Sequence, residues 1–596
     1  AIAGYCSGQS NMWLPVSHTY SRNETVVAIR SGHYGNIRLM AGSSGADPHY
    51  PDKKDWNPTG YGGANGSNAW MTAAQAIATG ESTGTGNGGS YPLFQVGAAC
   101  WYFAQRLSEL GVSHPIGIAN TAIGGQRIEE YASNASVTQC TFRANSNGST
   151  GVDGEAAREW DATLYAKQVV PFVDMTVKGW VWYQGENNMG AVKGNSAAGV
   201  GYACLQRALI QGWRKVWSAT PGTTDPKAPF GIVTLASSGS EGGPNMGAMR
   251  QAQTASWGVL PGPVGSGMEN TFSAQAYDLD DEWGGPGWAH LACHFNNEGK
   301  PCSAGPFHQP CLTQNCCPVG GHRPYNASTC NASFFKQCKP ACDAAASTPQ
   351  YMGGIHPRSK KQVGDRLGAA AFNTVYGGGA AHTGPTLSSC AVSGTRLLIE
   401  FDTELLAGDT LHLNPIKPLS ASPTWWINSS YYSGHLSVSG GSLLYVQTNA
   451  SNFCMESMLL PTDFNATSGA AASDMSYCPT WSGGDGPSGP TQNTSRTPDE
   501  TAWVGFDSGW TMLPFEQASA SSISVDLASL SGRTPTAVRY AWGAFGCCDM
   551  TDPTLYVRHG CIADCPIYSS SKLPANPFMA KIVDDKCECI APQRCS

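Results

Sequence analysis

Charged side chains are scarce in this sequence. Asp, Glu, Lys and Arg together make up 13% of its 596 residues, about half of the share that is usual in soluble domains. The formal net charge is −8, and the basic residues are scattered instead of forming a run. Because nucleic acid is bound through dense positive charge, we predict no nucleic-acid partner.

Long hydrophobic runs are also absent. A membrane-spanning helix needs roughly 18 or more consecutive apolar residues, and every apolar run in this sequence is well below that length. We therefore predict no membrane span. The sequence opens at Ala1 without a recognisable signal peptide, and we expect its leader to have been removed or left out.

Cysteine and glycine, in contrast, are plentiful. The chain holds 22 Cys and 71 Gly, together with many Asn-x-Ser/Thr sequons. An even number of cysteines and abundant sequons are typical of a disulfide-bonded glycoprotein of the secretory pathway, either secreted or lysosomal. The predicted glycosylation sites are Asn23, Asn65, Asn134, Asn147, Asn326, Asn331, Asn428, Asn449, Asn465 and Asn493.

Strand and helix patterns alternate over residues 1–380. Short apolar runs predict buried strands, and apolar residues at 3.6-residue spacing predict helices. This alternation predicts an α/β domain with a mostly parallel sheet, in which ligands bind beyond the carboxyl ends of the strands. The predicted strands are Ile116–Ile123, Lys178–Tyr183 and Phe230–Leu235, and the predicted helices are Val96–Leu110, Trp160–Val173, Tyr202–Trp217 and Lys360–Tyr376.

Residues 284–350 have a different composition, rich in Cys, Pro, Gly and Asn. We interpret them as a disulfide-rich insertion with little regular structure. A metal site is the alternative, but the spacing of the histidines fits no zinc template, so we predict no metal. Those histidines are His290, His294, His308 and His322.

Helical periodicity fades after residue 380. Short strand-like runs, such as Arg396–Phe401 and Ser522–Leu527, are separated by Gly, Ser, Asn and Pro. This pattern predicts an all-β domain over residues 381–596 that ends in a disulfide-rich tail.

Four short blocks carry the candidate chemistry, and most of them follow predicted strands. They are G-Q-S-N-M at 8–12, G-G at 124–125, W-Y-Q-G-E-N-N at 182–188 and G-G-I-H-P-R at 353–358. A Gly-x-Ser, a glycine pair or a lone His is by itself typical of a turn or a structural residue, whereas the five-residue string G-Q-S-N-M is much more specific. Together they predict Ser10 as a nucleophile and His356 as its general base.

The order of these blocks resembles the sialate O-acetylesterases, also called sialic acid 9-O-acetylesterases, within the SGNH hydrolases. The segments V-R-Y-A-W at 538–542 and C-P-I-Y at 565–568 extend the resemblance over most of the chain outside the insertion. The resemblance implies a three-layer α/β/α domain of the SGNH type with a mostly parallel sheet, followed by a C-terminal β domain.

The resemblance also implies a mechanism that needs no cofactor. Ser10 attacks an acetyl carbonyl, and His356 takes the serine proton and later returns it to the sugar hydroxyl. Backbone N–H groups and side-chain amides stabilise the oxyanion. The implied donors are the N–H groups of Ser10 and of Gly124 or Gly125, and the side chain of Gln184 or Asn188.

Two departures from the family pattern affect these expectations. Many SGNH hydrolases carry an Asp three residues before the His, where this chain has Gly353. The group behind His356 therefore stays open among Glu186, Asp278, Asp280 and a backbone carbonyl. Family members also usually have a β domain ahead of the nucleophile block, so we expect either a cleaved N-terminal fragment as a partner or the loss of that domain.

Several functions remain open at this point. The first is hydrolysis of O-acetyl groups from sialic acids or related acetylated glycans. The alternatives are an acetylxylan-type polysaccharide deacetylase, a lipase-like carboxylesterase, and a catalytically reduced carbohydrate-binding or structural glycoprotein on the esterase fold. A nitrogen of His356 within about 3.2 Å of the Ser10 hydroxyl would favour an enzyme.

Overall fold

The computed structural model describes residues 2–40, 70–78, 91–138, 140, 162–188, 202–236, 246–279, 349, 355–416, 444–448, 510–542, 547 and 565–592. Apart from Pro349, the predicted insertion lies outside these residues, and so do its histidines and Asp280. All predicted glycosylation sites except Asn23 and Asn134 also lie outside them.

Within the described residues, the first sheet has seven strands in the order β3-β2-β4-β1-β5-β6-β7. All neighbouring strands are parallel except β2 and β3, which pair antiparallel at one edge. This confirms the predicted mostly parallel α/β sheet. Its strands are β1 Ile2–Gly8, β2 Ile37–Met40, β3 Trp70–Thr72, β4 Ile116–Asn120, β5 Gly179–Tyr183, β6 Phe230–Val233 and β7 Thr271–Ala274.

Each face of this sheet is covered by its own apolar cluster. Successive strand residues point to opposite faces, so Cys6 joins one cluster and Tyr5 joins the other. Helices α4 and α9 pack on the Cys6 face, and α7 and α8 on the Tyr5 face. The helices are α1 Ser10–Trp13, α2 Arg22–Arg30, α3 Ala73–Ala76, α4 Ala98–Glu109, α5 Ile128–Tyr131, α6 Asn134–Thr138, α7 Tyr202–Trp217, α8 Met246–Gln253, α9 Lys360–Tyr376 and α10 Thr403–Leu406.

A second, antiparallel sheet follows in the C-terminal part of the chain. In the part of the chain that the structure describes, it has nine strands in the order β12-β11-β15-β17-β18-β8-β9-β14-β13, and β10 and β16 form a separate two-stranded sheet. The domain boundaries 1–380 and 381–596 stay predictions. The strands are β8 Leu387–Ser393, β9 Arg396–Phe401, β10 Leu411–Leu413, β11 Leu444–Gln447, β12 Trp510–Met512, β13 Phe515–Gln517, β14 Ser522–Asp526, β15 Ala537–Tyr540, β16 Ile567–Ser569, β17 Phe578–Val583 and β18 Lys586–Ala591.

One predicted helix differs from the structure. The stretch predicted as Trp160–Val173 contains a π-helical turn at Tyr165–Val169 and a 3-10 turn at Val170–Phe172. Pro171 has no N–H group to donate, and its ring clashes with the preceding turn of a regular helix. The backbone instead forms a wider π-helical turn before the proline, and Pro171 lies near the start of the tighter 3-10 turn.

Disulfide bonds connect elements that are distant in sequence. Cys6–Cys100 joins β1 to α4, and Cys390–Cys587 joins β8 to β18. Two further bonds are Cys140–Cys204 and Cys547–Cys565. These bonds agree with the prediction of an oxidising compartment. Within the described ranges, no helix is long and apolar enough to cross a membrane.

Gly8, the last residue of β1, generates a first test. Its φ is +140°, and a Cβ there would overlap the carbonyl group of Tyr183 on the neighbouring strand. We expect Gly8→Ala to lower the free energy of unfolding by more than about 2 kcal/mol, because overlap and backbone strain add. Denaturant unfolding measures this change.

Gly4 on the same strand supplies the matched control. A Cβ at Gly4 would lie 3.6 Å from the Gly117 oxygen, an ordinary contact. Gly4→Ala should therefore change stability by less than about 1 kcal/mol. Equal unfolding free energies for the two variants would contradict the close packing of β1 on β5.

Candidate active site

The middle of the parallel sheet brings the predicted blocks together. Strand β1 pairs with β4 on one side and with β5 on the other. Beyond its carboxyl end, the Ile123 N–H donates to the Gly8 carbonyl at 3.2 Å, and the Gln9 N–H donates to the Tyr183 carbonyl at 3.1 Å. The loops that follow these three strands therefore lie side by side.

Ser10 and His356 are in direct contact. The His356 Nε2 atom lies 2.7 Å from the Ser10 Oγ atom, although the residues are 346 positions apart. Ser10 is the first residue of α1, and His356 lies in the loop that leads into α9. Both side chains are half-buried, so the pair is accessible from outside.

The Gly124-Gly125 turn lies beside this pair. A Cβ on Gly124 would be 3.5 Å from the Ser10 Cβ, and both glycines are exposed. The Gly124 carbonyl accepts from the Gln126 side chain at 3.2 Å, and the Gly125 carbonyl accepts from the Asn187 side chain. In a trans peptide the N–H points away from the preceding carbonyl, so these bonds fix the direction of the N–H groups of Gly125 and Gln126.

Gln184 lies behind the turn and is fully buried. Its Nε2 atom donates to the Asn188 Oδ1 at 2.7 Å, the Gln9 Oε1 at 2.9 Å and the Gln126 carbonyl at 3.1 Å. An amide nitrogen has two hydrogens, so these protein acceptors occupy both of them.

Asn188 is also buried and has its amide group paired on both sides. Its Nδ2 donates to the Glu129 carboxylate at 2.9 Å, and its Oδ1 accepts from the Ile128 N–H at 3.1 Å. Gln184 and Asn188 thus lie at the predicted strand end, but their NH₂ groups bind acceptors of the protein. Gln184 donates to the Gln126 carbonyl beside the glycine turn, and Asn188 donates to the Glu129 carboxylate of α5.

Glu186 is buried near the serine segment. One of its carboxylate oxygens accepts from the side chain of Asn11, and the same amide nitrogen donates to the Ile355 carbonyl at 2.8 Å. Glu186 is therefore connected to the segment of His356 through Asn11.

Asp278 occupies a different place. Its carboxylate accepts two hydrogen bonds from Arg366, both at 2.6 Å, and one from the Tyr568 hydroxyl at 2.9 Å. Tyr568 belongs to β16 and Arg366 to α9, so this cluster joins the β region to the α/β region. The contacts of Asp278 do not reach His356.

Sequence reasoning missed several residues that shape the site. Gln9 and Asn187 lie inside the predicted blocks, and their backbone and side-chain amides support the loops around Ser10. Lys360 was predicted only as the start of a helix, yet its side chain is fully buried against Asn11. No sequence signal marked this role, because Asn11 and Lys360 are 349 positions apart.

The predicted glycosylation sites within the described residues are Asn23 and Asn134. Both side chains are exposed, at the first turns of α2 and α6. This exposure is compatible with glycosylation, which stays a prediction.

The fold and site together define a class: a mostly parallel α/β/α sheet with a serine–histidine pair at the carboxyl ends of its strands. No family model matches the chain. Curated relatives from Pongo abelii and Homo sapiens are 30% identical over 283 residues, and a rat relative is 29% identical over 308 residues. All of them are named sialate O-acetylesterase.

The match is partial in length. It covers 46% of this chain and 47% of the primate proteins, so the chain spans about half the length of the curated relatives it matches. A crystal structure of a carbohydrate acetylesterase from Xanthomonas citri aligns with 97% of this chain and 80% of its own, at 17% identity and a TM-score of 0.47. A score at that level does not establish a shared fold.

The contacts of Asp278 generate the second test. We expect Asp278→Ala to lower the free energy of unfolding by about 3–5 kcal/mol, because it leaves the Arg366 guanidinium buried without its carboxylate. For the ester hydrolysis that the sequence predicts, the rate per folded molecule should stay near the wild-type value. Denaturant unfolding and hydrolysis normalised to folded protein measure the two effects.

Asp365→Ala is the matched control on the same helix. Asp365 pairs with Lys361 at 2.8 Å in a partly exposed ion pair, and such pairs contribute at most about 1 kcal/mol. A rate per folded molecule that falls more than tenfold in Asp278→Ala alone would show that Asp278 acts on His356 after all.

Proposed function

We propose that this protein is a serine esterase that hydrolyses O-acetyl groups on sialic acids or related acetylated glycans. The observation that carries the proposal is the 2.7 Å contact between His356 Nε2 and Ser10 Oγ at the carboxyl ends of the parallel strands. That distance lies within hydrogen-bond reach for a general base. The name of the sequence relatives supports an acetylated sugar as substrate.

The first half of the reaction forms an acetyl-enzyme. The Ser10 oxygen attacks the acetyl carbonyl carbon while His356 Nε2 takes the hydroxyl proton. The resulting tetrahedral intermediate collapses, the bond between the acetyl carbon and the sugar oxygen breaks, and His356 returns the proton to that oxygen. The sugar leaves with a free hydroxyl group, and the acetyl group stays on Ser10.

The second half regenerates the enzyme. His356 takes a proton from a water molecule, and the water oxygen attacks the acetyl carbonyl carbon. Collapse of the second intermediate breaks the bond to the Ser10 oxygen, which regains its proton from His356. Acetate is released, and no cofactor enters the balance.

Backbone groups are the oxyanion donors in this proposal. The N–H groups of Ser10 and of Gly124 or Gly125 are the closest candidates, and a donor of this kind contributes about 3 kcal/mol to lowering the barrier. Gln184 and Asn188 are assigned an indirect part, because their hydrogen bonds hold the glycine turn in place.

The disulfide bonds support a setting in the secretory pathway, and we propose a secreted or lysosomal location for this activity. Glu186, connected through Asn11, and a backbone carbonyl remain the candidates for the group that orients His356.

The catalytic pair generates the third test. We expect Ser10→Ala and His356→Ala each to lower the rate of acetate release by at least about a thousandfold, because the first removes the nucleophile and the second removes the base. The assay is acetate release from O-acetylated sialic acid. Ser31→Ala, a change on the exposed end of α2, should keep the wild-type rate.

A variant that combines Ser10→Ala with His356→Ala strengthens this test. Ser10 and His356 act as one unit in the proposal, so the double variant should be no slower than either single variant. A wild-type chain that releases no acetate and takes no label at Ser10 from a serine-reactive phosphonate would contradict the proposed function.

Substrate class is the fourth test. We expect acetate release from O-acetylated sialic acids to exceed release from acetylated xylan and from a long-chain acyl ester. The panel is compared by kcat/KM, with Ser10→Ala as the background for each compound. Preference for acetylated xylan would assign the chain as a polysaccharide deacetylase, and preference for the long-chain ester as a lipase-like enzyme. Binding of glycans without turnover would favour the carbohydrate-binding alternative.

A further inference from the structure

The side chain of Asn11 connects the two segments that carry the catalytic pair. Asn11 directly follows Ser10 in sequence, and its Nδ2 donates to the carbonyl of Ile355, which directly precedes His356, at 2.8 Å. One buried amide therefore fixes the backbone next to the nucleophile relative to the backbone next to the base.

Lys360 binds the oxygen of the Asn11 amide. Its Nζ donates to the Asn11 Oδ1 at 2.6 Å and to the Pro357 carbonyl at 2.7 Å. The side chain is fully buried, and its ammonium lies 5.3 Å from the ring centre of Tyr183, within cation–π range. An ammonium is costly to bury unless its donors are paired, so these contacts define one arrangement of the residues around it.

Glu186 supplies the opposite charge on the nitrogen side of the amide. It accepts a hydrogen bond from the Asn11 Nδ2. Burial of the Tyr183 phenol raises its pKa, and the nearby Glu186 carboxylate raises that pKa further. Because a carboxylate only accepts and an ammonium only donates, Asn11 has a single workable orientation between them. A flipped amide would place like groups against each other on both sides.

We propose that Lys360 is a positioning residue for the Ser10–His356 pair. It acts through Asn11 on the Ser10 segment and through the Pro357 carbonyl on the residue that follows His356. This inference rests on the proposed function for its catalytic meaning. Nothing in the geometry requires Lys360 to touch the substrate, since its described contacts lie behind the pair.

Lys360→Met tests the proposal, because methionine has a similar length and carries no charge. We expect the rate at which a serine-reactive phosphonate labels Ser10 to fall about a hundredfold, the scale expected for a misplacement near 1 Å. Labelling should still reach one phosphonate per chain. With the acetylated sugar, kcat should fall by a similar factor while KM stays within about twofold.

Lys361→Met is the matched control. It removes the same charge from the adjacent position of α9, where Lys361 is partly exposed and pairs with Asp365. Its labelling rate should equal that of the wild-type chain. A purely structural role for Lys360 predicts instead a smaller labelled fraction at an unchanged rate, which overturns the proposal.

Asn11→Ala provides an independent route if Lys360→Met does not fold. It should slow the labelling of Ser10 by a similar factor. Where Lys360→Met folds, the double variant should be no slower than either single variant, because each change alone already breaks the contact between Lys360 and Asn11. Additive effects contradict the proposal, and so does loss of the folded state in both single variants, which would make the cluster structural.

The two proposals fail in different ways. Equal labelling rates for the wild-type chain and Lys360→Met contradict the role of Lys360, whether or not acetate is released. A wild-type chain that labels at Ser10 without releasing acetate contradicts the proposed substrate, and its labelling rates still decide on Lys360. A wild-type chain that does not label at all overturns both.

Discussion

Strand β1 is hydrogen-bonded along both edges, and the site depends on that position. Its two neighbours are β4 and β5, so the loops after all three strands meet at one edge of the sheet. The Cys6–Cys100 bond ties β1 to α4, and α9 packs against α4 in the same apolar cluster. This arrangement returns His356, in the loop before α9, to the end of β1, although most of the α/β region separates it from Ser10 in sequence.

The chain has few charges, and the groups that organise the site are mostly neutral amides. Gln9, Gln184, Asn187 and Asn188 bind one another and the glycine turn. Amides carry both donors and acceptors, so they satisfy one another when buried without the large desolvation cost of a charge. The charged groups in this region fix the orientation of a neighbouring amide, as Glu129 does for the side chain of Asn188.

Much of this fold could be predicted from sequence. The helices Tyr202–Trp217 and Lys360–Tyr376 were predicted with their observed ends, because long amphipathic repeats carry a strong period. Strands β2, β3 and β7 were missed, since they are short and mix polar with apolar residues, and their pairing is decided by neighbours distant in sequence. Pro171 lies in the predicted helix Trp160–Val173, which the structure replaces by a π-helical turn and a 3-10 turn.

The residue types of the site could also be predicted, but not the direction of their contacts. The sequence places Gln184 and Asn188 at a strand end, where an amide is able to face either a substrate or the protein. Which way it faces depends on Tyr202 and Glu129, whose positions follow from packing. Asp278 was a candidate because the position three residues before His356 holds Gly353 instead of an acid. Its partners Arg366 and Tyr568 become neighbours only when the two regions dock.

The orientation of the buried Asn188 and Gln184 amides follows from the Glu129 carboxylate, which ends their series of hydrogen bonds. Glu129 only accepts, so Asn188 must present its NH₂ group to that carboxylate and its oxygen to Gln184. Gln184 must then direct its own NH₂ group inward, while its oxygen accepts from the Tyr202 hydroxyl at 2.8 Å. The Glu129 carboxylate thus sets the donor-to-acceptor direction of this whole series of hydrogen bonds. As a result, the NH₂ groups of Asn188 and Gln184 point towards protein acceptors. In the proposed mechanism, stabilisation of charge on a substrate oxygen therefore falls to backbone N–H groups. The directions of the Gly125 and Gln126 N–H groups are fixed by the separate side-chain hydrogen bonds to the Gly124 and Gly125 carbonyls.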